Sequence, residues 1–302
     1  MNPYYPVLSL DEARAYEESV LGGDSGKTSR AMENAGRAIG AAIHDDYREI
    51  RPWPGNPEIH VLGGKGLNTG DALVACETLQ AFLPGLQVTL VCTASTTEMN
   101  PLAGAVLERI RVSMGERFRI VSAGDYIQAG TRKVDVLLDG LYGHGFKPPL
   151  RPEAAQLLKQ VNSRTDIALR VSVDLPSGMG ADTDPDSFVA DITCIPGVAK
   201  EPCFREANWP FTGRLRFLEI EPFLDQPVDE NRNRLLASPR IHKSLNRLRP
   251  PRSDKRQYGH CLIIAGSSQM PGAALMATRA ALQAGAGLVT TFAPSFVCRQ
   301  IA

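Results

Sequence analysis

Val61-Leu-Gly-Gly-Lys-Gly-Leu-Asn-Thr-Gly-Asp-Ala72 is the stretch on which the fold turns. An apolar, β-prone run (Ile59, Val61, Leu62) leads into it, and Gly63, Gly64, Gly66 and Gly70 crowd its middle. Beyond it Ala72, Cys76, Leu79 and Leu83 recur at helical spacing. Strand, glycine turn and helix is the local plan of a nucleotide or phosphate site. Glycine lets backbone N–H groups approach an anion, and a helix N-terminus adds free donors and a partial positive charge. The spacing excludes the two best-known versions. A G-x-G-x-x-G fingerprint would run through Gly64 and Gly66 to position 69, which is Thr, and no G-K-[ST] ends this loop. What remains is a phosphate-capable loop of another kind, with Asn68 and Asp71 as its polar residues. Taken alone, it reads equally well as an ordinary tight βα turn.

Downstream the pattern alternates. Strands are expected at Gln87–Thr93, Phe118–Val121, Val134–Asp139, Ile167–Asp174, Asp191–Ile195 and Arg214–Ile220. Helices open at Asn100-Pro101, a cap followed by proline in the first turn, and at Pro152. Alternation predicts a three-layer, Rossmann-like α/β domain with a mostly parallel sheet and right-handed crossovers. Upstream, Ser9-Leu-Asp-Glu12 is a capping box that predicts a helix to about Val20. Gly26-Lys27-Thr28 ends like a Walker loop, but residue 21 is Leu and no strand precedes it, so Leu21–Thr28 reads as a glycine linker. A helix from about Ser29 to Asp45 follows, with Ala31, Met32, Ala35, Ala38, Ile39, Ala42 and Ile43 on one stripe.

In a parallel open sheet, ligands lie beyond the carboxyl ends of the strands. Gly63–Asp71, Asp139-Gly-Leu-Tyr-Gly-His-Gly145 and Asp174-Leu-Pro-Ser-Gly178 all fall there. Asp139 and Asp174 are thereby brought to the rim that holds Asn68. Neighbouring carboxylates suit acid/base chemistry or a cation; singly, each reads as the cap of a turn.

Bulk properties exclude other classes. A length of 302 residues predicts about two domains. Lys+Arg and Asp+Glu both number 33, so no basic field for nucleic acid is present. Six cysteines without a C-x-x-C pair read as reduced thiols of a cytoplasmic protein. The N-terminus lacks a basic-then-apolar leader and no run of about 18 apolar residues occurs, so neither export nor a membrane span is expected.

On these motifs the chain resembles the NAD(P)H-hydrate epimerases over about residues 8–225. The family's G-x-G-N-N-G-G-D-G stands here as Gly64–Ala72, its D-x-L-x-G-T-G as Asp139–Gly145, and its D-I-P-S-G-x-x-A-D-T as Asp174–Thr183. M-E-N-A-G is intact at Met32–Gly36, and Lys200 matches a lysine the family carries after A-D. The resemblance implies an isomerase of metabolite repair, interconverting the R and S forms of hydrated NADH or NADPH at the hydroxylated ring carbon. It implies a potassium ion held by Asn68, Asp139 and Ser177. Substrate contacts would come from Gly66, Leu67, Asn68, Thr69, Gly70 and Asp71, and from Gly143, His144, Gly145, Phe146, Lys147, Pro148 and Pro149. Asp174 would lie at the nicotinamide ring as the proton-transfer group, a role that a raised pKa would suit. A homodimer is a further family expectation. A nicotinamide dehydrogenase is disfavoured by the absent third glycine.

Leu67, Thr69, Ala72 and His144 depart from the family pattern. Thr69 and Ala72 add bulk to the loop, with strain at any position of positive φ. His144 reads as an exposed loop histidine in preference to a new acid/base group. The alternative function is therefore a non-catalytic nucleotide-binding or scaffold module with a degenerate site.

Residues 226–257 are rich in proline and arginine and read as a solvated linker in preference to a nucleic-acid-binding arm. Residues 258–302 start a second α/β pattern. Ile264–Ser268, Met270–Ala274 and Ala284–Val289 resemble the opening of the NAD(P)H-hydrate dehydratase domain, a ribokinase-like fold. A βαβ fragment of that size buries too little to stand alone, so no dehydratase activity is expected from this chain.

Overall fold

The structure, a computed structural model, describes residues 3–129, 133–226, 233–243 and 248–301. It divides into two compact units, Met1–Ile241 and His242–Ala302. The first opens with β1 (Tyr4–Leu8), α1 (Leu10–Leu21) and α2 (Ser25–Ile50). Next come β2 (Glu58–Gly63), α3 (Leu67–Phe82), β3 (Gln87–Cys92), α4 (Pro101–Met114), β4 (Phe118–Ser122) and α5 (Ala123–Gln128). Then follow β5 (Val134–Gly140), α6 (Pro152–Ser163), β6 (Ile167–Val173), β7 (Ile192–Pro196) and β8 (Ala199–Lys200). The short α7 (Trp209–Thr212), β9 (Arg214–Leu218) and β10 (Leu235–Ala237) close it.

Seven strands form one sheet in the order β4-β3-β2-β5-β6-β7-β9, and every described pairing in it is parallel. A parallel sheet is covered on both faces, and the central strand β5 is buried along its whole length. One face packs against α2, α3 and α4 through Ile39, Ile43, Leu73, Leu79, Val106 and Ile110. The other packs against α5 and α6 through Ala123, Leu157, Leu158 and Val161.

The two N-terminal helices meet at glycines. Ser9 caps α1 with the full capping box, and Gly22 and Gly23 turn the chain at φ 61° and 67°. α2 starts earlier than its apolar stripe suggests, because the Asp24 carboxylate accepts hydrogen bonds from the amides of Gly26 and Lys27. It also runs longer, to Ile50, because Tyr47 is buried and donates to Asp135 at 2.9 Å. The M-E-N-A-G segment lies on α2 and is largely packing. A Cβ on Gly36 would overlap the Val74 side chain and lie 2.7 Å from the Asp71 carbonyl oxygen, and Gly70 sits directly under Met32. Glu33 pairs with Arg109, and Asn34 donates to the Glu221 carbonyl.

A second, three-stranded sheet has the order β10-β1-β8, and only its partners make its short strands legible. β1 runs parallel to β8, pairing Leu8 with Lys200, and antiparallel to β10, pairing Tyr5 with Leu236. Part of the stretch expected as linker is therefore a strand; residues 227–232 and 244–247 of it lie outside the described residues.

The second unit pairs β11 (His260–Ile264) in parallel with β12 (Leu288–Phe292), with α8 (Gly272–Gln283) and α9 (Ser295–Ile301). Leu262, Ile264 and Phe292 remain exposed on it. All six cysteines are free thiols. Among the described residues no helix is long and apolar enough to cross a membrane.

The close approach of α2 and α3 is testable. Gly36→Ala pushes a methyl into backbone and a β-branched side chain, and is expected to cost about 1–3 kcal/mol. Gly70→Ala meets the flexible end of Met32 and should cost less. Urea midpoints at unchanged m-value would measure both.

Candidate active site

The three loops at the carboxyl ends of β2, β5 and β6 frame one cavity of about 650 Å³. α3 enters it at Gly66, its N-cap, with no side chain capping the first amides. Gly66, Leu67, Asn68 and Asp71 line it from that side, and Gly143, His144, Gly145, Phe146, Lys147 and Pro149 from the β5 loop. Asp174 forms part of the floor. Pro148, Thr69 and Gly70 do not line it, and neither do Asp139 and Ser177, which lie beneath. Lys65 and Arg151 add two cationic side chains to the wall.

Asp174 is held in an unusual backbone state. Its φ is 68°, the left-handed region that an L residue enters at a cost, and among the described residues it is the one non-glycine with positive φ. Its amide donates to the Cys194 carbonyl at 2.8 Å, which fixes the turn out of β6. The carboxylate is buried and receives Lys200 Nζ at 2.7 Å. Lys200 is equally buried and reaches Glu17 of α1 at 3.0 Å. His144 closes the ring: Nδ1 lies 3.7 Å from Asp174 Oδ2, and Nε2 3.5 Å from Glu17 Oε2.

These contacts set the charges. Burial alone would raise the Asp174 pKa, but Lys200 and His144 outweigh it and hold the carboxyl well below the usual carboxylate range. The raised pKa expected for Asp174 is thus replaced by its opposite, because a buried ammonium sits on it. Burial would likewise lower Lys200, yet Asp174 and Glu17 push it above its ordinary value. His144 is raised, chiefly by Asp174 and then by Glu17, against burial. Asp71 faces the cavity with protein on its other sides; burial first, and the Asp174 charge second, push it well above the ordinary value.

Asp139 lies one layer down and is fully buried. Its carboxylate accepts from the Ser177 hydroxyl at 2.6 Å, the Ser177 amide at 2.7 Å and the Leu141 amide at 3.3 Å, all neutral donors. Burial pushes its pKa up to about 6, with the Ser177 hydrogen bonds opposing. Asn68 donates from Nδ2 to the carbonyls of Tyr142 and Val173 at 3.1 and 3.2 Å, and so ties the start of α3 to both other loops.

Residues 28–201 match the profile of a family described as YjeF-related protein N-terminus, and residues 261–300 match that of NAD(P)H-hydrate dehydratase. The NAD(P)H-hydrate epimerase of Rhodopirellula baltica is 33% identical over 193 residues, 63% of this chain and 73% of that protein. The bifunctional NAD(P)H-hydrate repair enzyme Nnr of Gloeobacter violaceus is 32% identical over 281 residues, 90% of this chain and 52% of that one. The Escherichia coli Nnr is 30% identical over 263 residues, 85% of this chain and 47% of its own. The chain belongs to the YjeF-related family. It spans about half the length of the bifunctional relatives, 52% for the Gloeobacter protein. The crystal structure of yeast ynu0 superposes with a TM-score of 0.58 at 22% identity, over 76% of this chain and 99% of that one. That likeness shows the fold.

The departures from the YjeF-related pattern are absorbed without strain. Thr69 lies inside α3, away from positive φ, so the expected strain is absent. Its Oγ1 accepts from the Gly64 amide at 2.8 Å and faces the carbonyls of Gly140 at 3.0 Å and Gly64 at 3.1 Å, fastening the loop instead of distorting it. Ala72 is buried, and Leu67 is half-buried against the core. His144 is no solvated loop side chain, since it is wedged between two carboxylates. Glu17 is the site residue that sequence reasoning missed. It is one acid on an amphipathic helix 157 residues from Asp174, and no local pattern marks it.

Lys200→Met tests the floor of the cavity. An unpaired buried carboxylate costs about 3–5 kcal/mol, to be read from urea unfolding at pH 7. The pH dependence has a defined sign. The folded Asp174 pKa is depressed, so its stabilisation is present above the unfolded value of about 3.9 and is lost as pH falls below it. Lys200→Met is expected to flatten that acid limb.

Proposed function

We propose that this chain is an NAD(P)H-hydrate epimerase, interconverting the R and S forms of hydrated NADH and NADPH. The observation that carries the reading is an ionised carboxylate, Asp174, fixed on the floor of a nucleotide-sized cavity framed by the three family loops. The uncapped start of α3 supports phosphate binding, because its free amides and Lys65, Lys147 and Arg151 all border the cavity.

Hydration of an enamine places the hydroxyl on the carbon bonded to nitrogen. When that hydroxyl leaves as water, the nitrogen lone pair forms a planar cation, and water returning on the opposite face gives the other epimer. Asp174 suits this route as an anion. It steadies the planar cation and takes the proton of the returning water, a strong acid once bonded to the cationic carbon. A carboxylate of depressed pKa remains basic enough for that transfer.

Asn68, Asp139 and Ser177 fit a monovalent cation and would hold potassium. They offer oxygen donors suited to a hard ion, they include one carboxylate, and that carboxylate is buried among neutral donors. When bound, the ion would supply the positive charge that Asp139 lacks. The second unit leaves Leu262, Ile264 and Phe292 exposed, and we assign no dehydration to this polypeptide acting alone.

Purified R-hydrated NADPH incubated with the chain is expected to yield the S form, followed by chromatography. Asp174→Asn should lose turnover by roughly 10²-fold or more while still binding the hydrate. Full activity in that variant would remove Asp174 from the chemistry. Thermal unfolding in potassium against sodium at equal ionic strength reads the cation separately. Stabilisation of about 2.7 kcal/mol is expected at 100 times the dissociation constant, and Asp139→Asn should abolish it.

A further inference from the structure

The position of His144 assigns it more than a place in the wall. Its ring lines the cavity, with 30% of the side chain exposed. It spans two carboxylates, Asp174 at 3.7 Å and Glu17 at 3.5 Å. Both separations are longer than the roughly 2.7–3.2 Å of a well-formed hydrogen bond. The ring therefore lies between the two carboxylates without a short contact to either, and it borders the cavity. The backbone beneath is fixed: the His144 carbonyl accepts from Arg14 at 3.5 Å, and the Phe146 amide closes a turn onto Gly143 at 3.0 Å. The titratable and charged groups around this cluster are Glu17 and Arg14 from α1, Lys200 from β8, Asp174 after β6, and Asp71 from α3, whose pKa the Asp174 charge raises.

We propose that His144 is the proton donor of the epimerisation and works as a pair with Asp174, an inference that rests on the epimerase reading above. Asp174 cannot fill that role near neutrality, because Lys200 holds it ionised at 2.7 Å. The imidazolium gives one proton to the hydroxyl of the substrate. The carbon–oxygen bond breaks, water departs, and the nitrogen lone pair completes the planar cation. Water then adds to the other face, a new carbon–oxygen bond forms, and its surplus proton passes to Asp174 and on to Nδ1 of His144. One proton is given and one is regained, and no redox partner is needed. The threonine of the family pattern offers only a hydroxyl, which is too weak an acid to donate near neutral pH, so this step would be particular to chains with histidine here.

The test compares wild type, His144→Thr and His144→Gln. Readouts are the pH profile of kcat and the dissociation constant for R-hydrated NADPH. In wild type, kcat should fall as pH rises through an imidazole pKa above the ordinary 6.5 or so. Both variants should lose roughly 10²-fold in kcat and lose that alkaline limb, with hydrate affinity within about twofold of wild type. Variants that match wild type in rate and profile overturn the proposal, as do slow variants that keep the alkaline limb. Wild type that interconverts no hydrate brings down the epimerase reading together with this step, whereas an active wild type with equally active variants brings down this step alone.

Discussion

The buried Lys200–Asp174 ion pair is the contact on which the site depends. Both groups leave water almost completely, and each would be costly there by itself, since desolvation of an isolated ion is worth several kcal/mol. Together, at 2.7 Å and with Glu17 as a third member, they are tolerated. The pair also joins parts of the fold that nothing local connects. Asp174 follows β6 of the large sheet, Lys200 belongs to the small sheet, and Glu17 comes from the first helix. Registering Leu8 against Lys200 sets the ammonium where the turn out of β6 presents its carboxylate. The left-handed backbone at Asp174 is then held from three sides.

The ion pair divides labour among the acids of the rim. Asp174 and Asp71 share one cavity, yet their environments push them in opposite directions. Burial, and then the fixed anion nearby, raise the cost of a second charge, so the pKa of the acid without a cationic partner at hand moves up. Two carboxyl groups shifted in opposite directions therefore face the same ligand volume. An apolar wall of Leu21, Met32, Phe146 and Phe223 surrounds them and raises the worth of each charge.

Much of the fold was legible because parallel strands are buried on both faces. Val134–Asp139 and Ile59–Leu62 read as short continuous apolar runs bounded by glycine or polar turns, and their ends fall within about a residue of the observed strands. The loops were legible for the related reason that glycines and aspartates at strand ends carry recognisable spacing. The three-stranded sheet was not. β8 spans two residues and β10 three, too short for any periodicity, and their register is decided by β1 from the opposite end of the chain. The charge state of Asp174 was hidden likewise. Its sequence neighbours are Val173 and Leu175, which suggest a desolvated acid of raised pKa, while the lysine that reverses this lies 26 residues on. The placement of His144 depends on Glu17, 127 residues earlier, so its loop sequence alone reads as solvent-facing.

The charges of the two layers explain why His144 fits where the family pattern has threonine. Glu17 and Asp174 carry two negative charges against the one positive charge of Lys200. The imidazole lies between the two carboxylates, and their pull on its proton is the reason its pKa rises against burial. Asp139, a layer below, receives no comparable help, for every donor that reaches it is uncharged. Burial takes its pKa up to about 6 against those hydrogen bonds. The same physical demand is thus met in the upper layer by charged side chains of the protein, and in the lower layer by neutral hydrogen-bond donors alone.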